Sequence, residues 1–87
     1  MQAAWYSHET GTGKRYRLWD GHKETPYFID HAASRAHRTY GEPYGLFGAG
    51  MGDLITQAST PYRIAGCFGG FRTLQAAKDR AITLATA

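Results

Sequence analysis

Polar and apolar residues alternate through much of the first thirty positions, and the spacing changes to a helical period near the C-terminus. Segments 3–9 and 14–20 read as paired strands around Thr10-Gly11-Thr12-Gly13. A second turn at Gly21-His22-Lys23-Glu24 leads to a third strand around Tyr27-Phe28-Ile29. Asp30 then has the chemistry of an N-cap for a short second helix running through His37 to Tyr40, closed by Gly41 and Pro43. Near the end, Tyr62, Ile64 and Phe68 fall on one face of an extended segment, with Arg63 and Cys67 on the other. Gly69-Gly70 reads as a tight turn. Thr73 caps a helix over 74–85, in which Leu74, Ala77, Ala81 and Leu84 recur at three- and four-residue spacing.

The expected architecture is α+β: an antiparallel sheet of three to four strands packed against a C-terminal helix, as one domain over 1–87. The helix stripe is thin and rich in alanine, so it needs a close-packed sheet beneath it. Composition changes the picture of the core. Leu, Ile, Val and Phe together number only 13, while aromatic residues make up 14% of the chain. The core must therefore draw on Trp and Tyr, whose polar tips require partners. Cys67 is the one cysteine, which leaves no internal disulfide. With no basic-then-apolar leader and no long apolar run, the expected setting is cytoplasmic, with no membrane partner.

Five glycines, Gly41, Gly45, Gly48, Gly50 and Gly52, punctuate the segment carrying Tyr44, Leu46, Phe47 and Met51. This pattern reads either as a flexible or irregular loop or as a binding loop, mobile in the free chain, that offers Tyr44, Phe47 and Met51 to a partner or to a second copy of the chain. Segment 54–57 is short enough for either a strand or a turn of helix.

No catalytic or cofactor motif is complete. Gly11-Thr12-Gly13-Lys14 lacks the first glycine of a phosphate loop, where His8 stands, and the hydroxyl residue, where Arg15 stands. Gly48-Ala49-Gly50-Met51-Gly52 has Asp53 at the last glycine position of the dinucleotide pattern and no βαβ unit before it. His8, His22, His31 and His37 have no spacing that assembles a metal site, and the acidic residues are scattered singly. Cys67 reads as a strand thiol and not as a nucleophile. The expectation is therefore a non-enzymatic protein with no cofactor and no metal.

The strongest binding signal is on the second strand. Arg15, Arg17 and Trp19 alternate with Tyr16 and Leu18, so one face can show two guanidinium groups beside an indole, extended by Arg63 if its strand joins the same sheet. The competing reading is a solvated face whose arginines cover apolar surface. A net charge of +3 permits nucleic-acid contact without establishing it.

The run Gly70-Phe71-Arg72-Thr73-Leu74-Gln75-Ala76-Ala77 resembles the Gly-Phe-x-Thr-x-x-x-Ala entry to the C-terminal helix of arm-type, AP2-like DNA-binding domains of phage integrases, an entry shared with other small phage ββ(β)α proteins. The resemblance implies a sheet followed by a helix, with the sheet face turned to the partner; it transfers no contact residue. Two classes of function follow as expectations. One is a binding protein acting on a nucleic-acid-processing assembly, a protein or ribonucleoprotein complex, as a phage-encoded inhibitor of the anti-CRISPR kind does by steric occlusion. The other is a module that binds DNA directly. A small enzyme is a distant third.

Overall fold

The computed structural model describes residues 1–48 and 66–87. Within them the chain forms β1 (Ala3–Thr10), β2 (Gly13–Asp20), β3 (Lys23–Ala32), a single 3₁₀ turn (Arg35–His37), β4 (Tyr44–Phe47), β5 (Cys67–Phe71) and α1 (Leu74–Thr86). The strands make one antiparallel sheet in sequence order, β1-β2-β3-β4-β5, and α1 packs on β3, β4 and β5. The fold is α+β as expected, with five strands where the pattern suggested three to four.

The first hairpin closes around Gly11-Thr12, with Thr10 opposite Gly13. Gly13 is required there by close approach: a Cβ would run into the His31 carbonyl of β3. The second turn is Gly21-His22, with Gly21 at φ 59.

Side chains alternate between two faces. The inner face carries Tyr16, Leu18, Ile29 and Leu46, packed against Ala77 and Ala81 of α1, with Leu74 and Leu84 beside them. Both alanines are fully buried, so the helix orientation read from the stripe holds. Thr73 is the N-cap, its hydroxyl accepting from the Ala76 N–H at 3.2 Å.

Three local expectations are corrected. Asp30 does not cap a helix. It continues β3, where it pairs with Arg15, and only the 3₁₀ turn follows. Chain closure at Gly41 comes instead from a tight turn. Thr39 and Glu42 exchange backbone hydrogen bonds of 3.1 and 2.9 Å around Tyr40 (φ 52) and Gly41 (φ 78). The Gly69-Gly70 pair is no turn but lies inside β5, Gly70 directly opposite Gly45. The physical reason is steric: a Cβ at Gly45 or at Gly70 would strike the Thr39–Glu42 turn, which lies on the outer face over β4 and β5. A bulge between Leu46 and Phe47 leaves Phe68 42% exposed, its ring against Tyr27. Tyr62, Arg63, Ile64 and the 54–57 segment lie outside the described residues.

Two substitutions test this packing. Ala77→Asp would place an unpaired carboxylate against the sheet and should lower stability by about 3 kcal/mol in a denaturant titration. Gly70→Ala forces the Thr39 turn off the sheet and should cost about 2 kcal/mol, whereas Gly11→Ala, at an open position, should cost much less.

Candidate functional site: the outer face of β1 and β2

The hairpin register decides which side chains meet. Directly opposed residues of an antiparallel pair share a face. Tyr6 stands opposite Arg17, Ala4 opposite Trp19, and His8 opposite Arg15, all on the face away from α1. Arg15, Arg17 and Trp19 are thus brought onto one surface, and Tyr16 and Leu18 go to the core, as the alternation required.

Tyr6 and Trp19 meet edge to face, ring centroids 5.6 Å apart and planes at 74°. Ala4 offers only a methyl beside the indole. The result is an open concavity of ≈ 320 Å³ lined by Tyr6, Arg17, Trp19, Gly21 and His22. Tyr6 is 58% exposed, while Trp19 is half-buried.

Both arginines already have carboxylate partners. Arg15 holds Asp30 in a bidentate pair, Nε to Oδ1 at 2.7 Å and Nη2 to Oδ2 at 3.0 Å, and its guanidinium lies 4.3 Å from the Phe28 ring centroid. Arg17 meets Glu24 at 3.0 Å and leans toward the same ring at 5.9 Å. Arg15 is therefore chiefly a lid on Phe28, and the face it shares with Arg17 is balanced in charge. The Arg17–Glu24 pair is the more exposed of the two and frames the concavity.

The proposed loop residues are corrected. Tyr44 and Phe47 are the ends of β4, between β3 and β5. Phe47 is 1% exposed and stacks on Phe28, with centroids 5.5 Å apart, so it cannot be offered to a partner. Tyr44 faces inward and stacks on His31 at 4.7 Å. Both are consumed by the sheet because the segment has β pairing on both sides. Arg63 and Met51 lie outside the described residues, as does the 49–52 part of the expected loop.

The histidines are dispersed: His8 on the outer face, His22 at the concavity, His31 on Tyr44, and His37 bonded to Ser34 at 2.8 Å. Among the described residues no group of three or more His, Cys, Asp or Glu could hold a metal, and no helix is long and apolar enough to cross a membrane. Burial pushes the Cys67 thiol above its ordinary range, opposed by hydrogen bonds to the Gly69 backbone and the Tyr40 side chain. Such a thiol is protonated near neutrality and a poor nucleophile.

Sequence reasoning missed Tyr6, His22, Glu24 and Asp30 as members of this surface. Tyr6 was findable: once Thr10 pairs with Gly13, every cross-strand partner in the hairpin follows. The Arg17 and Arg15 partners on β3 were not, because the register shifts between Arg17 and Trp19. Comparison with protein-family models, curated proteins and solved structures finds no match.

The Arg15–Asp30 pair is testable by itself. A double-mutant cycle with Arg15→Ala and Asp30→Ala should give a coupling of about 1 kcal/mol, weakened little by 0.5 M salt because the pair is partly sheltered. Zero coupling would return Arg15 to the pool of available phosphate ligands.

Proposed function

We propose that this chain is a non-enzymatic binding protein that docks a protein or ribonucleoprotein partner through the outer face of β1 and β2. One observation carries the reading: the Tyr6–Trp19 corner, Tyr6 exposed and Trp19 half-buried, with Arg17 beside it, on sheet surface facing away from the helix. Trp, Tyr and Arg are the residue types that dominate protein interfaces. The partner we propose is a nucleic-acid-processing assembly, blocked sterically in the manner of a phage-encoded anti-CRISPR inhibitor. The incomplete catalytic motifs and the phage-like helix entry at Gly70–Ala77 support that class.

Direct DNA binding is the second reading. In its favour, the sheet face away from the helix is the one that the resemblance turns toward DNA. Against it, the Arg15 and Arg17 guanidinium groups are already engaged by Asp30 and Glu24. Phosphate contact through these arginines would compete with both carboxylates, and each phosphate neutralised would steepen the salt dependence.

Two measurements separate the readings. Trp19→Ala should keep the parent melting temperature within a few degrees yet weaken capture of the partner assembly from host extract about 30-fold, equivalent to about 2 kcal/mol. A gel-shift titration with duplex DNA at 50 and 200 mM salt should show weak binding with a shallow slope. A steep slope abolished by Arg17→Ala would replace the docking reading with the DNA one.

A further inference from the structure

The rim of the concavity is weighted toward hydrogen-bond donors. Arg17 and Trp19 only donate, Tyr6 and His22 can donate or accept, and the nearby carboxylate of Glu24 is engaged by Arg17 at 3.0 Å. A second cation would meet Arg17 and gain no open carboxylate. An anion would have to compete with Glu24. The walls are two aromatic rings set at 74°, which form a corner with one ring face and one ring edge. The ligand that complements this corner is rich in acceptors, poor in donors, uncharged, and flat enough to stack.

We infer that the concavity binds a proline-rich segment in the extended polyproline conformation. This rests on the outer face being a docking surface and names the chemistry of what docks. Proline has no N–H and keeps its carbonyl, so such a segment presents acceptors to a donor-lined rim. Its ring stacks on aromatic walls, the recurring way in which such segments are held. Its backbone is already extended before binding, so little conformational entropy is lost on a small, open site. Ala4, opposite Trp19, keeps the space beside the indole clear.

The test uses the full chain labelled with ¹⁵N, whose two indole N–H signals report Trp5 and Trp19 separately. Trp5 lies on the opposite face, with the Lys78 ammonium 5.4 Å from its ring centroid, and serves as an internal control. Peptides with Pro-x-x-Pro cores are titrated against the same peptides with alanine in place of proline. The expected result is a saturable shift of the Trp19 signal and not of Trp5, with the alanine peptides at least tenfold weaker. Trp19→Ala and Tyr6→Ala should each weaken binding at least tenfold. Ala4→Arg, which fills the space and leaves both rings, should do the same in a chain that melts like the parent. If no proline peptide outbinds its alanine counterpart, or if binding survives Ala4→Arg, the inference is overturned. If that happens while Trp19-dependent capture of the partner assembly persists, the docking face stands and only the proline chemistry falls. A short DNA duplex that shifts the Trp19 signal with a steep salt dependence would remove both.

Discussion

A five-stranded meander has two faces to shield from water, and the described chain has one helix with which to do it. That shortage shapes the rest of the structure. The helix is committed to the inner face over β3, β4 and β5, where Ala77 and Ala81 let it lie close against Leu18, Ile29 and Leu46. The outer face still contains Phe28 and Phe47, two large rings stacked on one another and almost fully buried. Each would lose roughly 1.5–3 kcal/mol if returned to water, so each needs a cover that is not a helix.

Two makeshift covers supply it. The Thr39–Glu42 turn lies on β4 and β5, admitted by the glycine pair Gly45 and Gly70, where any Cβ would push it away. The guanidinium of Arg15 lies over Phe28, anchored by Asp30 from the neighbouring strand. The glycines of this region therefore serve close approach, not loop freedom. The arginine serves packing before it serves recognition. What these covers leave is the β1–β2 corner, where Tyr6, Trp19 and Arg17 surround an open hollow. The candidate site is the part of the sheet that packing does not consume.

Charge on this face follows the same logic. An arginine stacked on a ring in a half-buried place is costly without a counter-charge. Asp30 and Glu24 meet that need, and in doing so they cancel the positive field that two neighbouring arginines would otherwise project. A surface built this way favours partners that read shape, aromatic stacking and hydrogen bonding over partners that read charge.

The hairpin around Gly11-Thr12, the split of β2 into an apolar and a displayed face, the Thr73 cap and the buried alanine stripe were all legible in the amino-acid sequence. Each is a local rule of period or backbone geometry, and the residues that enforce it are neighbours in the chain. The membership of Tyr6 was legible too, since hairpin register follows from the turn. Other features belonged to the tertiary structure alone. The register shift between Arg17 and Trp19 sets which residues of β3 oppose the arginines, and nothing local to β2 announces it. Gly45 and Gly70 look like turn or loop signals until a distant turn is seen lying on them. Tyr44 and Phe47 look like side chains offered between glycines until β3 and β5 close on either side. In each case the deciding contact joins residues far apart in sequence, and local pattern carries no information about what will be packed on top of it.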